Sequence, residues 1–336
     1  MSLDSLLLSA LAPWRGSPTW WVALSGGLDS TVLLHLLVRL AGQHELPAIR
    51  AIHVHHGLQA AGEGWPAHCQ AICDGLDVPL QIVRVKVVPG ASLERAAREA
   101  RYEAFSECLG EGELLLTGQH RDDQAETVLF RLLRGAGVRG LAAMPVERSL
   151  GLGRLVRPLL GVSRIELEAY ARRNALRWVE DPSNQDHNYS RNFLRREVMP
   201  LLKRRWPQAA SSMARAAAHM TETQQLLDEL AQQDLLIANT ASAFEWLRLP
   251  SLALPPLRAL TPVRQRNALR HWLASFTLAP DEGHWAGWAS LLNARPDATP
   301  RWCLAGGELQ RTGERVWWLP DSWLEPVVEP IDWSDP

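Results

Sequence analysis

Lysine is nearly absent from this chain of 336 residues, and cysteine is sparse. Lys86 and Lys203 are the only lysines among 35 basic residues, so almost all of the positive charge is arginine. The 4 cysteines form no CxxC pair, which excludes a disulfide framework and the paired thiols of common zinc and redox sites. We therefore expect a protein of the reducing cytoplasm.

Long apolar runs are also missing. No stretch of about 18 apolar residues is free of charge, so we predict no membrane span. The first residues, MSLDSLLLSALAPW, lack a basic segment and contain Asp4, and they indicate an amphipathic helix rather than a signal peptide. A hydrophobic fraction of 46% and a charged fraction of 21% are typical of globular proteins. A length of 336 residues predicts two domains.

The net charge of −2 conceals a basic centre. Residues 1–120 carry a net charge of −4, residues 121–220 carry +8 and residues 221–336 carry −6. Because arginine binds phosphate oxygens in a bidentate manner, a basic block of this kind favours a nucleic-acid partner. A solvated basic face is the alternative.

Apolar runs alternate with helical patterns in the first part of the chain. The apolar runs lie at 20–24, 48–54, 81–85 and 113–118. The helical patterns lie at 31–42, 63–76, 92–109 and from 122 onwards. This alternation predicts an α/β domain with a doubly wound, mostly parallel sheet, which binds ligands at the carboxyl ends of its strands.

The pattern after residue 160 is mainly helical and then changes again. A long amphipathic stretch begins near Trp206-Pro207, and the stretch WCLAGGELQRTGERVWWLP alternates like a hairpin. We predict an α/β domain over 1–206, a linking helix over 207–240 and a small C-terminal α+β domain over 241–336. Most of the tryptophans after residue 200 are expected in the core of that last domain.

The sharpest local pattern is WVALSGGLDST, in which a buried strand runs into a glycine turn and a helix start. The residues expected to bind a phosphate-bearing ligand there are Ser25, Gly26, Gly27, Leu28, Asp29 and Ser30. Glycines let backbone N–H groups approach an anion, and a helix N-terminus attracts negative charge. An ordinary turn with a capping serine is the alternative. No lysine follows the glycines, so this is not the loop ending in Gly-Lys-Ser/Thr.

SGGLDS resembles the PP-loop of ATP pyrophosphatases. Further matching segments are IHVHHGLQ, SLERAAREARYEAF, TGQHRDDQAETVLFRLLRGAGVRGLAAM, WVEDPSNQDHNYSRNFLRREVMP and RNALRHWL. Together these closely resemble the tRNA(Ile)-lysidine synthetase family. The resemblance implies an enzyme that uses ATP to adenylate the wobble cytidine of a CAU anticodon, releases diphosphate, and then attaches free L-lysine to C2 of that cytidine with release of AMP.

Candidate residues around the nucleotide follow from the resemblance and from their charge. Asp29 is expected to help position Mg²⁺, with Asp122 as a second candidate ligand. His53 is expected near ATP, although a core histidine would fit the pattern as well, and His53, His55 and His56 lack further zinc ligands nearby. The resemblance implies functional roles for Arg98 and Arg101. Pairing of those arginines with Glu94, Glu99 or Glu103 is the alternative.

Three carboxylates open the helix that begins near residue 122. Asp122, Asp123 and Glu126 are candidates to hold Mg²⁺ or to bind and deprotonate the lysine substrate. Asp123 and Glu126 lie three residues apart on one face, whereas Asp122 points elsewhere. The residue types alone do not separate these roles.

The stretch 181–205 is the candidate tRNA contact. The resemblance implies that Arg191, Asn192, Arg195 and Arg196 contact the substrate tRNA or help to close the active site. It also implies that residues 1–206 form the catalytic domain and that the domain over 241–336 contacts tRNA. Polar residues precede them, namely Asp181, Ser183, Asn184, Asp186 and Tyr189. Dense polar groups followed by arginines suit a phosphate backbone. A capped basic helix without a ligand is the alternative.

Other functions remain to be weighed against the lysidine synthetase hypothesis. A PP-loop tRNA thiolase would need a persulfide cysteine or a cluster. A small-molecule amidotransferase would not explain the basic block. A tRNA-binding protein without activity would not need a complete SGGLDS. The expected partners are tRNA(Ile) with a CAU anticodon and free lysine, with no membrane; a homodimer is compatible with the sequence. Family members often carry a further C-terminal domain for the tRNA acceptor region, so 336 residues would be a short or truncated form.

Overall fold

The computed structural model describes residues 2–57, 62–87, 93–182, 190–239, 249–278, 280, 283–295 and 298–324. It contains two compact units, residues 1–221 and residues 222–336. The boundary falls inside a helix of 30 residues that covers most of the predicted linking segment. The candidate residues Ser183, Asn184, Asp186 and Tyr189 lie outside the described residues.

A six-stranded sheet forms the centre of the first unit, with the strand order β3-β2-β1-β4-β6-β5. Its strands are β1 (Thr19–Ala23), β2 (Ala48–His55), β3 (Leu80–Arg84), β4 (Leu114–Leu116), β5 (Glu147–Leu150) and β6 (Gly153–Val156). The first four strands and β6 are parallel to one another, which confirms the predicted mostly parallel sheet. Strand β5 pairs antiparallel with β6 through a tight turn at Gly151, whose φ is +54°.

Helices connect these strands as the sequence predicts. They are α1 (Leu3–Leu11), α2 (Leu28–Ala41), α3 (Trp65–Gly75), α4 (Leu93–Cys108), α5 (Arg121–Leu132), α6 (Val138–Leu141) and α7 (Arg164–Arg173). One further segment comprises α8 (Ser190–Phe193), a π-helical turn (Leu194–Val198) and α9 (Met199–Arg205). The long helix is α10 (Ala209–Ala238).

Two apolar layers enclose the sheet. On one face α1, α2, α3 and α7 bury a leucine-rich core that includes Leu33, Leu36 and Leu37 of α2. On the other face Phe105 of α4 packs with Trp21 of β1 in a smaller cluster. Each fully buried side chain of this size stabilises the fold by about 1.5–3 kcal/mol, so the sheet is a rigid support for the loops at its ends.

The carboxyl ends of the parallel strands meet at one edge of the sheet. The glycine loop follows β1 there, His56 follows β2, and Arg157 follows β6. Residues 117–120 follow β4 and lead directly into α5. Ligands of doubly wound sheets bind at this edge, and most of the candidate residues from the sequence converge on it.

The helical segment 190–205 packs against α5. Met199 shares a small core with Ala125 of α5 and Ala210 of α10. A neighbouring core joins Val128 of α5 to Ala217. The π-helical turn shifts the side chains of this segment relative to a regular helix, and such turns are frequent at functional sites.

The second unit contains a four-stranded antiparallel sheet with the strand order β7-β10-β9-β8. Its elements are β7 (Ser251–Ala253), α11 (Leu254–Arg258), α12 (Pro262–Leu273), α13 (Trp285–Asn293), β8 (Arg301–Leu304), β9 (Gly307–Thr312), β10 (Arg315–Pro320) and α14 (Asp321–Leu324). Trp288, Trp302 and Trp318 are buried in its core, as the sequence predicts. In the described part of the chain no helix has the length and apolarity that crossing a membrane requires.

Candidate active site at the carboxyl edge of the sheet

The glycine loop is held by its own serines. Ser25 Oγ lies 3.0 Å from Ser30 Oγ and accepts the N–H of Gly27 at 3.3 Å. Ser30 Oγ also lies 3.1 Å from the carbonyl oxygen of Gly27, to which it donates. Gly27 is the N-cap residue of α2 and provides no side-chain cap. The first N–H groups of the helix therefore lack a side-chain acceptor and suit an anionic ligand.

Two glycines allow the close packing of this loop. Gly26 has a φ of +82°, and a Cβ there would lie 3.2 Å from the Sγ of Cys69. Gly118, just after β4, approaches the start of α2 so closely that a Cβ would lie 2.9 Å from the carbonyl carbon of Asp29. The sequence pattern signalled Gly26, whereas Gly118 lay in a matching segment without an assigned role.

Asp29 occupies the first turn of α2 and faces the start of α5. Its Oδ1 lies 3.6 Å from Nε2 of His120, and its Oδ2 lies 4.0 Å from Nη1 of Arg164. Oδ1 is buried and has no hydrogen-bond partner. Burial raises the pKa of Asp29, while the nearby His120 opposes that shift. A buried carboxylate oxygen without a donor is a position that a cation would stabilise.

His120 connects Asp29 to the acidic helix. Its Nδ1 accepts the N–H groups of Asp122 at 3.2 Å and of Asp123 at 3.4 Å, so the imidazole caps α5. Because Nδ1 accepts, the neutral ring carries its proton on Nε2. Nε2 lies 3.5 Å from Oδ2 of Asp123 as well as near Asp29. The histidine thus lies between two carboxylates, although its buried Nε2 forms no hydrogen bond with either of them.

Asp122 points away from Asp123, as its position on the helix predicts. Its Oδ1 lies 2.5 Å from Nζ of Lys203, and its Oδ2 accepts the backbone N–H of Arg164 at 2.9 Å. These two donors outweigh the effect of burial and lower the pKa of Asp122. Lys203 and Arg164 were not identified from the sequence, although Lys203 is one of only two lysines in the chain.

Asp123 and Glu126 face two of the arginines that the sequence assigned to tRNA. Arg195 donates to Oε1 of Glu126 at 2.7 Å from Nε and to Oδ1 of Asp123 at 2.7 Å from Nη2. Arg191 lies 3.3 Å from Glu126 and 3.5 Å from Asp123. Burial alone would lower the pKa of Arg195. The contacts with Glu126 and Asp123 have the larger effect and raise that pKa. The structure thus brings the candidate lysine-binding and tRNA-binding residues together.

The other two candidate tRNA residues lie on the same short segment. Arg196 is exposed, whereas Asn192 is half-buried. Their contact with tRNA stays a prediction. Arg196 lies next to the paired Arg195 in sequence, which makes the two arginines a natural pair of test and control positions.

His53 lies beneath the glycine loop. Its Nδ1 is 2.8 Å from the carbonyl oxygen of Leu24, to which it donates, and 3.3 Å from Sγ of Cys69. Burial lowers the pKa of His53, with a partly opposing effect of the Leu24 hydrogen bond, so the ring is neutral at pH 7. Its Nε2 is then an acceptor, and it is buried without a partner.

Arg98 and Arg101 both lie on α4 but contact different partners. Arg101 donates to Nε2 of His56 at 3.1 Å from Nε. Burial and the Arg101 charge lower the pKa of His56 to about 4. Arg98 instead donates to the hydroxyl of Tyr102 at 3.3 Å. Arg95 is the arginine that pairs with Glu99, so the alternative of simple glutamate pairing fits Arg95 and does not describe Arg98.

Comparison with known proteins identifies the family. A PP-loop domain model matches residues 3–202, and a model of the TilS substrate binding domain matches residues 252–317. The tRNA(Ile)-lysidine synthase of Pseudomonas syringae pv. tomato is 62% identical over 334 residues, which cover 99% of this chain and 75% of that relative. The chain belongs to the tRNA(Ile)-lysidine synthase family. The family member of Pseudomonas aeruginosa is 60% identical over 337 residues. The match covers 99% of this chain and 76% of that relative.

A solved structure outside the tRNA(Ile)-lysidine synthase family has the same fold. The U34-tRNA thiolase NcsA from Methanococcus maripaludis aligns with a TM-score of 0.54 and 18% identity, over 65% of this chain and 78% of that chain. At this identity the likeness concerns the fold. Relatives within the synthase family share far more of the sequence, and the thiolase alternative is not favoured.

Proposed function

We propose that this protein is an ATP-dependent ligase that converts the wobble cytidine of tRNA(Ile) with a CAU anticodon into lysidine. In the first step O2 of the cytidine attacks the α-phosphate of ATP, and diphosphate leaves. In the second step the amino group of free lysine attacks C2, and AMP leaves. The observation that carries this proposal is the SGGLDS loop facing a carboxylate cluster in a chain that belongs to the synthase family over nearly its whole length.

The loop residues supply the binding site for the diphosphate part of ATP. The uncapped start of α2 provides backbone N–H groups, and the hydroxyls of Ser25 and Ser30 can turn from each other to the phosphate oxygens. His53 supports the base of the nucleotide, because its orphaned Nε2 acceptor suits an exocyclic amino group such as that of adenine.

Magnesium fits the Asp29 carboxylate. Oδ1 of Asp29 is buried without a donor, and burial raises the pKa of this group, so a cation would relieve the cost of its charge. Mg²⁺ in nucleotide sites commonly takes one or two carboxylates and completes its shell with phosphates and water. Bound there, it would neutralise phosphate charge. Asp122 is a weaker candidate ligand, because Lys203 and Arg164 already engage both of its oxygens.

Asp123 and Glu126 are the proposed lysine site. Both carboxylates are buried and already bind guanidinium groups, which supports a binding site for a side-chain cation. We infer that the ammonium of lysine binds these oxygens while Arg191 and Arg195 move toward the RNA phosphates. The attacking amine must lose a proton, since its ordinary pKa is about 10.4, and a carboxylate in contact can receive it.

The cysteines support lysine rather than sulfur as the nucleophile. Burial raises the pKa of Cys69 to about 12 and that of Cys73 to about 11. Thiols with such pKa values are poor nucleophiles at neutral pH, because the thiolate is the reactive form. Cys108 also has a raised pKa for the same reason.

The decisive experiment supplies the protein with ATP, labelled lysine and an unmodified transcript of a tRNA with a CAU anticodon. We expect label in the RNA, with one AMP and one diphosphate formed per lysine incorporated. A transcript with uridine at the wobble position is the matched control and should stay unlabelled. A sulfur-for-oxygen exchange in the RNA, or no change in its mass, would overturn the proposal.

A further inference from the structure

Arginines surround Tyr102 on α4, and of these only Arg98 belongs to the site described above. The guanidinium carbon of Arg98 lies 4.8 Å from the centre of the Tyr102 ring, and that of Arg148 lies 4.6 Å from it. Arg98 donates to the Tyr102 hydroxyl at 3.3 Å, and Arg157 interacts with the same hydroxyl. We call Tyr102 and these three arginines the Tyr102 cluster.

The Tyr102 cluster holds positive charge without a matching carboxylate. Among the described residues, none of its three arginines has a carboxylate oxygen within 4.0 Å. Burial and the neighbouring guanidinium groups lower the pKa of Arg157, although Tyr102 opposes that shift. Burial disfavours the phenolate of Tyr102, but the charges of Arg98, Arg157 and Arg148 outweigh it and lower the pKa of Tyr102. Like charges held together in this way are destabilising unless an anion binds them.

The surroundings of Arg157 show that the cluster is built into the fold. Arg157 is only 4% exposed, its Nη1 donates to the carbonyl oxygen of Pro145 at 2.7 Å, and its buried Nε has no partner. An orphaned donor on a buried guanidinium is costly, and a bound anion would give it an acceptor.

The cluster also lies beside the catalytic edge of the sheet. Arg157 directly follows the last residue of β6, at the carboxyl end of that strand. Arg101, the neighbour of Tyr102 in sequence, reaches His56 at the end of β2. Phosphates bind at this end of parallel sheets.

We propose that the Tyr102 cluster binds a phosphate group of the reaction's substrates or products. Guanidinium groups match the geometry of phosphate oxygens, and the tyrosine hydroxyl adds one further donor. The phosphate has two sources, a phosphodiester of the tRNA backbone or the phosphates of ATP and diphosphate. This inference rests on the proposed function for its ligands, and it adds Arg148 and Arg157 to the residues that act on them.

The test compares binding by variants at two members of the cluster, the exposed Arg98 and the half-buried Arg148, with binding by matched controls. Arg98→Gln and Arg148→Gln each remove one guanidinium, while Arg95→Gln on α4 and Arg154→Gln on β6 remove arginines that pair with glutamates. Affinity is measured separately for an unmodified CAU-anticodon tRNA transcript without ATP and for sodium diphosphate without RNA. Thermal unfolding of every variant shows that the fold is retained.

We expect the two cluster variants to weaken binding of one of these ligands by roughly 10-fold, the loss of one charge-assisted hydrogen bond. The controls should stay within about 2-fold, since an exposed glutamate-paired arginine contributes little. Loss confined to tRNA, with a smaller salt slope, assigns the site to the RNA backbone, and loss confined to diphosphate assigns it to the nucleotide. Unchanged affinity for both ligands in both variants would overturn the inference.

Formation of lysidine by the wild-type protein is measured in parallel. If wild-type protein forms lysidine while both cluster variants bind tRNA and diphosphate normally, only this inference fails. If wild-type protein forms no lysidine, the proposed function fails, and the binding measurements still decide whether the cluster holds a phosphate.

Discussion

Nε2 of His120 lies 3.6 Å from Oδ1 of Asp29, and this approach joins the glycine loop to the acidic helix α5. The same imidazole caps α5 through Nδ1. One ring therefore has two separable roles, a structural one through Nδ1 and an electrostatic one through Nε2. The two roles can be tested by choosing substitutions that keep one nitrogen's contact and remove the other's.

His120→Asn should preserve the fold and impair adenylation. Asparagine is among the best helix caps, so the cap on α5 is kept while the contact with Asp29 is lost. His120→Ala removes both and should cost an additional ~1 kcal/mol of unfolding free energy. Diphosphate release measures the first step, and denaturant unfolding measures the fold. Equal stability of the two variants would contradict the capping role.

Asp29→Asn should abolish product formation and stabilise the protein at neutral pH. Burial raises the folded-state pKa of Asp29 above its unfolded value. At pH values above that pKa, the ionised carboxylate therefore destabilises the folded state. As the pH falls through the raised pKa, the wild-type carboxyl takes up a proton and the cost disappears. Unfolding curves of the variant and the wild type should therefore differ at pH 7 and converge toward pH values near 4.

An Asp29→Asn protein that is less stable than wild type at pH 7 would contradict this electrostatic account. Near-normal diphosphate release by the variant would contradict the assignment of the loop itself. The two outcomes are independent, because stability reports on burial of the carboxylate and diphosphate release reports on its use.

Gly118→Ala should displace the start of α2. The added Cβ would meet the backbone of Asp29 and Ser30 at 2.9–3.0 Å, and backbone cannot yield as a flexible side chain can. Overpacking of this kind costs about 1–3 kcal/mol, and the loop should bind ATP less tightly. Gly161→Ala is the matched control, since a Cβ there meets nothing within 4 Å. Thermal unfolding and ATP titration of both variants measure the difference.

Arg195→Gln and Arg196→Gln should differ although the two residues are adjacent. Arg195 neutralises the buried Glu126 and Asp123, and its loss should reduce the free energy of unfolding by up to about 3 kcal/mol, less than for a fully buried pair because the side chain is partly exposed. Arg196 is exposed, and its replacement should change stability by no more than about 0.5 kcal/mol. Its effect should fall on tRNA binding, with a salt slope smaller by about one.

The sequence predicted the sheet and the glycine loop because both depend on local patterns. A buried apolar run such as Trp20–Leu24, or a helical leucine repeat, can be recognised from a few neighbouring residues. The pairing of Lys203 with Asp122, 81 residues apart, and of Arg195 with Glu126, 69 residues apart, depends instead on how α9 and the π-helical turn pack on α5. Periodicity carries no information on such contacts.

Strands β5 and β6 and the role of Gly118 were missed for related reasons. β5 is short and reads ERSL, which lacks the apolar character of the other strands because it lies at an edge of the sheet. Gly118 is required by a backbone approach from α2, an element that precedes it by almost 90 residues. A resemblance to a family supplies residues that act in chemistry, and it does not show which glycine permits their packing.

Glu126→Gln should separate the two steps of the reaction. The carboxylate is buried at 3% exposure and faces cationic groups rather than the glycine loop, so diphosphate release should persist while lysine transfer falls sharply. Asp122→Asn should leave the KM for lysine nearly unchanged, because Lys203 and Arg164 already engage that carboxylate. Parallel assays of diphosphate release and of labelled lysine incorporation distinguish the two variants. Loss of both steps in Glu126→Gln would contradict the assignment to lysine.

The nucleophile itself provides a further test of the carboxylate pair. Asp123 and Glu126 lie one helical turn apart and bind the same guanidinium of Arg195, so they define a fixed point for a substrate cation. The attacking nitrogen of the substrate must reach that point. Ornithine and arginine misplace this nitrogen relative to the carboxylates and should be poor substrates, with incorporation well below that of lysine at equal concentration. Competition for incorporation into a CAU-anticodon transcript, read by mass spectrometry of the RNA, measures the preference. Equal incorporation of ornithine would show that the carboxylates do not position the amine.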